Sequence, residues 1–330
     1  VDPLEAWYTS LRASGRCRDG SSTWGAYRKW LTDFCNHAGL DPAGLVSEAA
    51  SGVQGLSRVK SLLASYVVEL ERRGLSQNTR AQAAASVKSF LSHHGIRLVY
   101  NVPSQEPMAR RLPEPGEIAR VVQSLLVPET PARAEAVAFI LVAKDSGLSA
   151  STILSLTWDG GQPHHEPIGS QLARGRIPVH IRVRRSKTGV VHDSFIGREG
   201  VWGLRRLLRA CGVERPEDAS GRVFRHGRQA VYMLVRRAAE SAGVALTPKM
   251  LRKFFITRMK MARVRDLHPA AWDSMVEHMA EHAISRVQRA YFILSPEELE
   301  RHYVENYGAI EVGLPAEEYA AAQATENSQS

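Results

Sequence analysis

The sequence has few cysteines, and their spacing pairs none of them. Cys17, Cys35 and Cys211 are scattered, with no C-x-x-C pair. That argues against a disulfide scaffold or a cysteine zinc site, and it fits a reducing cytoplasm. No uninterrupted apolar run approaches the roughly 18 to 20 residues of a membrane span. The N-terminus also lacks the charged-then-apolar pattern of a signal segment. A soluble, cytoplasmic chain with no membrane role is therefore expected. A phosphate-cradling G-x-x-x-x-G-K-[ST] loop is missing too, so no nucleotide hydrolysis is implied. His164-His165 has no carboxylate or cysteine at ligand spacing and reads as loop.

What is present is enough to build a sizeable core. The 330 residues are 44% hydrophobic and 23% charged, ordinary globular usage at a length that suggests two domains. The first hundred residues carry helical patterning. Val59, Leu62, Leu63, Tyr66, Val67 and Leu70 recur at helix spacing, and Gly74 supplies a stop. A second helix starts near Ser76 or Asn78, buries Ala84, Val87, Phe90 and Leu91, and ends at Gly95. Trp24, Tyr27, Trp30, Leu31 and Phe34 form an amphipathic stripe whose default role is core packing. Residues 101–116 hold four prolines and the pair Arg110-Arg111, which fits an interdomain linker because proline continues neither helix nor central strand.

Beyond the linker the pattern predicts helices from Pro115, from about Ala134 to Val142, and from Ser151 to Trp158. Strand alternation follows over 177–197, with Ile177, Val179, Ile181 and Val183 on one side. A Lys-Thr-Gly turn at 187–189 leads to Val190, Val191 and Phe195, which makes a β-hairpin. Helices resume at about 199–211, 227–242, 248–264 and 270–280, and a last one opens with the capped start Ser295-Pro296-Glu297-Glu298. The expected fold is mainly α: a helical domain over 1–100, a linker over 101–116, and a mixed α/β domain with a small antiparallel hairpin sheet over 117–313. The tail, 314–330, has little to bury and reads as disordered.

Acid is missing from two stretches where base is dense. Residues 171–189 carry Arg174, Arg176, Arg182, Arg184, Arg185 and Lys187, and residues 249–265 carry Lys249, Arg252, Lys253, Arg258, Lys260, Arg263 and Arg265. The formal net charge of +9 says little alone, but two such stretches on different elements favour a surface that tracks phosphates.

These residues resemble the tyrosine recombinases, the phage-type integrases, over roughly residues 50–310. Glu71-Arg-Arg-Gly-Leu-Ser-Gln-Asn-Thr79 looks like the helix junction of the family's core-binding domain. Asp145-Ser-Gly-Leu-Ser-Ala-Ser-Thr-Ile-Leu-Ser-Leu-Thr-Trp158 is similar to the first catalytic box, with Ser149 where the family has arginine. Ser186-Lys187-Thr188-Gly189 matches the β-turn that carries the family's general-acid lysine. Leu246-Thr-Pro-Lys-Met-Leu-Arg-Lys-Phe-Phe-Ile-Thr257 resembles the second box, with Lys249 in place of its histidine, a K-x-x-R variant used by the archaeal branch. His282 lies nine positions before Tyr291, the family's spacing between its third-box histidine and its nucleophile. His278 is a rival, since Trp272 through Glu277-His278 also looks like the approach to that histidine.

The resemblance implies a site-specific recombinase or integrase that cuts and rejoins DNA without metal or other cofactor, of the kind carried by mobile elements. Tyr291 would attack phosphorus, leaving a 3′-phosphotyrosine and a free 5′ hydroxyl. Lys187 would protonate the leaving oxygen, while Arg252, Lys249 and His282 or His278 would hold the non-bridging oxygens. Contacts to double-stranded DNA are expected from Arg72, Arg73, Arg80 and Lys88 in the first domain and from Arg110 and Arg111 in the linker. Arg184, Arg185, Lys253 and Arg286 would add to them in the second domain. A homo-tetramer on two sites is implied, with the helix over about 296–310 exchanged between neighbours. A neutral hydroxyl at 149 cannot replace a guanidinium, so catalysis is expected to be weakened or lost unless a neighbour such as Arg174 or Arg176 fills the gap. A non-cleaving DNA-binding protein of the same fold and a type IB topoisomerase-like enzyme are the alternatives.

Overall fold

The computed structural model describes residues 2–17, 22–102, 111–160, 165–185, 189–262, 264, 267–282 and 295–314. The chain divides into two compact units, Val1–Arg110 and Arg111–Ser330, each with its own hydrophobic core.

The first unit is helical: α1 (Pro3–Ala13), α2 (Ser22–Ala38), α3 (Pro42–Ala50), α4 (Val53–Arg72) and α5 (Gln77–His93). Asp2 and Asp41 cap α1 and α3 by accepting from the amides of Leu4 and Gly44, each with proline in the first turn. Sequence patterning missed both helices, although Asp-Pro is a start signal in its own right. The α4–α5 junction follows expectation. Gly74 takes φ +74°, and the Ser76 side chain accepts from the Thr79 amide at 3.3 Å. The aromatic stripe on α2 is core. Trp30, Leu31 and Phe34 are buried, and Trp7 stacks on Tyr27 and meets Phe90 edge-on.

The second unit opens with α6 (Pro115–Ser124), started by a capping box between Glu114 and Glu117. Next comes α7 (Pro131–Ser146), buried from Ala134 to Ser146 and therefore the central helix of this unit. The expected helix over 151–158 is only the single turn α8 (Ala150–Ile153). Thr157 instead bridges antiparallel to Arg222, and the Trp158 amide donates to the Gly221 carbonyl at 2.9 Å. Leu156 and Trp158 bury at strand rather than helix period, so tertiary pairing overrides the apolar pattern.

After α9 (Ile168–Ala173), β1 (Val179–Arg184) and β2 (Val191–Ile196) pair antiparallel, from Val179 opposite Ile196 to Arg184 opposite Val191. Val179, Ile181 and Val183 face inward, while Arg182 and Arg184 are exposed. The helices α10 (Arg198–Ala210), α11 (Arg228–Ser241), α12 (Pro248–Met261), α13 (Pro269–Met279) and α14 (Pro296–Asn306) complete the unit. Ser295 caps α14 by accepting from the Glu298 amide. That helix packs on its own domain, burying Leu299, His302 and Tyr303. The architecture is mainly α with a small antiparallel sheet of two strands among the described residues.

Candidate active site

Gly147 ends α7 in the left-handed region at φ +63°, and an added Cβ would sit 2.2 Å from the Phe255 ring. Only glycine fits both constraints. The turn it makes delivers Ser149 to the N-cap of α8, where its hydroxyl accepts from the Thr152 amide and lies 2.9 Å from Thr152 Oγ1 and 3.0 Å from Ser151 Oγ. The serine caps a helix, a role that suits its short polar side chain. Its own amide donates to Glu281 Oε2 at 3.3 Å.

Thr247 and Pro248 start α12, placing Lys249 in the first turn and Arg252 three residues on, along the same face. Lys249 and Lys253 are exposed. The Arg252 side chain is 16% exposed, and its Nη1 lies 3.6 Å from Glu281 Oε2, while its Nη2 donates to the Ala280 carbonyl. Burial pushes this guanidinium below its usual range, Glu281 opposes that, and the nearby charge of Arg185 adds to it. It stays charged at neutral pH.

Both partners of Arg252 belong to the turn after α13. Glu281 is fully buried at φ +56°, the one non-glycine with positive φ among the described residues. Such a conformation costs about 1–2 kcal/mol for a residue with a side chain. The turn closes with Glu281 and His282 amides donating to the carbonyls of His278 and Glu277. Arg185, just past β1, donates from Nη1 to the Glu281 carbonyl at 2.7 Å. Segments at 149, 185, 252 and 280–282 therefore meet at one glutamate. Glu281 was not among the sequence candidates, and its only trace there is its position next to His282.

The two candidate histidines differ in what holds them. His278 has Nε2 accepting from the Asp193 amide at 3.1 Å and its carbonyl accepting from His192 Nδ1, so it is built into the contact with β2. Burial would raise Asp193, but the hydrogen bond from His180, with His278 and Arg182 close by, outweighs it and leaves that carboxyl well below its usual range. His282 is more exposed, and its Nδ1 pairs with Glu277, leaving Nε2 as the nitrogen available to a ligand. Glu277 also holds Lys260. Burial acts to raise the Glu277 carboxyl, and these two partners lower it overall.

Lys187, Tyr291, Arg286, Arg110 and His164 lie outside the described residues. Arg174 and Arg176, expected as substitutes for an arginine at 149, are engaged elsewhere: Arg174 pairs with Glu166, and Arg176 with Glu166 and Glu300. Arg184 donates to the Gly189 carbonyl, and Arg111 lies 3.4 Å from Glu117. In the first unit Arg73 pairs with Asp33 and Arg80 with Glu71, Lys88 donates to the Tyr100 carbonyl, and Arg72 is largely exposed, 3.9 Å from Glu69. Among the described residues no group of three His, Cys, Asp or Glu could hold a metal ion, and no helix is long and apolar enough to cross a membrane.

A second polar cluster, also missed, lies behind the first box. Lys144, Asp145 and Glu199 are buried together, with Lys144 Nζ 2.6 Å from Glu199 Oε2 and paired with Asp145. Glu199 accepts from the amides of Val312, Gly313 and Leu314, and the Tyr307 hydroxyl donates to Asp145. The cluster ties the helix before Ser149 to the residues after α14.

No protein-family model matches the chain, and no curated protein matches it. Solved structures do. A lambda integrase dimer bound to a COC′ core site superposes with TM-score 0.54 at 12% identity, covering 86% of this chain and 95% of that one. The chain has the integrase fold. The Tn1549 transposon integrase in complex with transposon right end DNA matches with TM-score 0.53 at 14% identity, over 93% and 100% of the two chains. A lambda integrase tetramer bound to a Holliday junction gives 0.52 at 12%, over 88% and 77%. At such identities what is shared is the integrase fold, and chemistry must be argued from side chains.

Proposed function

We propose that this chain is a DNA strand transferase of the tyrosine recombinase type, a site-specific recombinase or integrase acting on duplex DNA. The observation that carries the reading is the meeting of three distant sequence boxes around Arg252: the first-box turn at Ser149, the second-box helix α12, and the turn that carries His282. Tyr291 Oη attacks the scissile phosphorus, the bond to the 5′ oxygen breaks, and Lys187 protonates that oxygen. Arg252, Lys249 and His282 hold the non-bridging oxygens. Reversal onto a second 5′ hydroxyl rejoins the strand. The helical unit to residue 100 and the unit from 117 to 313 each contact DNA, the 101–116 linker joins them, and assembly on two sites is tetrameric. The K-x-x-R form of the second box aligns the chain with the archaeal branch.

A pooled library of nicked suicide duplexes tests this without knowledge of the target. The expected result is a covalent protein–DNA adduct on a denaturing gel, lost in Tyr291→Phe. Ser149, together with the Glu281 carboxylate beside Arg252, favours one second reading, a DNA-binding protein that does not cleave. Tight duplex binding with no adduct from any library member would establish it.

A further inference from the structure

We propose that Arg185 supplies the second guanidinium of the phosphate site, in place of the arginine that the resemblance would put at Ser149. This rests on the phosphodiester-cleaving reading above. Arg252 and Arg185 hold the carbonyls of consecutive residues, Ala280 and Glu281, so the two guanidiniums stand side by side on one turn. Glu281 also accepts from the Ser149 amide, so Arg185 lies one glutamate away from the position that lacks its arginine.

The charges favour Arg185 further. Arg252 faces the Glu281 carboxylate at 3.6 Å, which offsets part of its charge. The hydrogen bond of Arg185 is instead to a neutral backbone carbonyl. That bond uses one of the five N–H donors of a planar guanidinium, a shape that matches phosphate in two-point contact. Carboxylates engage other arginines around the hairpin: Arg174 and Arg176 pair with Glu166, Arg176 also with Glu300, and Arg182 lies 3.6 Å from Asp193. The left-handed backbone of Glu281 directs its carbonyl to one arginine and its carboxylate to the other. Strain of this kind persists where the surroundings over-determine it, and it concentrates at functional sites.

Orthovanadate, which takes the trigonal-bipyramidal shape of a phosphoryl-transfer transition state, probes the site without a DNA target. Its affinity would be measured by calorimetry on the full chain as wild type, Arg185→Gln, Arg252→Gln and Ser149→Arg/Arg185→Gln. Arg185→Gln should weaken binding about tenfold or more, as expected for the loss of a charge-assisted contact. Adding Ser149→Arg to Arg185→Gln should recover most of that loss, which a merely structural role for Arg185 would not allow. Should Arg185→Gln fail to fold, Arg185→Lys, which keeps the charge but not the fork, is read the same way. If Arg252→Gln weakens binding and the Arg185 variants do not, the inference fails and the phosphate site stands. If wild type binds no vanadate, or Arg252→Gln leaves its affinity unchanged, the phosphodiester reading fails and the inference fails with it.

Discussion

Replacing Lys144 by methionine tests the buried cluster behind the candidate active site. Lys144, Asp145 and Glu199 are sealed from solvent, and one ammonium serves two carboxylates. Burial alone would lower the Lys144 pKa, but the carboxylates hold it above its usual range. Removing one member of a buried ionic set costs about 3–5 kcal/mol. Proton uptake limits that cost: protonating a carboxyl of ordinary pKa near 4 at pH 7 takes three units at about 1.4 kcal/mol each, roughly 4 kcal/mol. For a unit of this size the loss lowers Tm by roughly 10 °C. In the variant the folded state binds a proton that the unfolded state releases, so its deficit against wild type should shrink as pH falls from 7.5 to 5.5. Urea unfolding followed by circular dichroism at both pH values reads this out. A loss below about 1 kcal/mol, or a deficit equal at both pH values, would refute the account.

Ser149→Arg should raise adduct yield on the suicide library by about 10² or more in the Arg185→Gln background and by much less in the wild type, where Arg185 already supplies a second guanidinium, while lowering stability by about 0.5–2 kcal/mol through the lost helix cap; gel quantitation and a melt separate the two effects. Gly147→Ala should destabilise by about 2 kcal/mol or more, read as a shift in urea midpoint, because it forces a side chain onto φ +63° and into the Phe255 ring. Burial pushes His165 down to about 4, with the neighbouring His180 adding to the shift. Its folded pKa lies below its unfolded value, so protons bind preferentially to the unfolded chain between about pH 6.5 and 4. Stability should fall across that window, and His165→Gln should flatten the Tm–pH curve.

Most elements were legible because local signals agreed with tertiary packing. The α4–α5 junction has a glycine stop and a serine cap, the hairpin alternates cleanly, and Ser295 opens α14 as its S-x-x-E pattern predicts. The expected helix over 151–158 failed because Thr157 pairs with Arg222, more than 60 residues away, and no local window contains that partner. The basic stretches are acid-free along the chain, yet Arg174, Arg176, Arg258 and Lys260 meet Glu166, Glu300, Glu114 and Glu277 in the fold. Charge density along the chain is therefore not charge density on the surface.

By itself the sequence determined most of the helices, the hairpin, the order of the box-like segments and the serine at 149, because each is a matter of residue type at short spacing. Tertiary structure alone decided which charges remain unpaired by acids, that Glu281 joins the Ser149 amide to Arg252 and Arg185, and that Lys144 rather than solvent faces Asp145 and Glu199. Apart from the neighbouring Lys144 and Asp145, these contacts span 29 to 132 positions of chain. Coulomb and hydrogen-bond energies depend on distance in space, and only folding sets that distance.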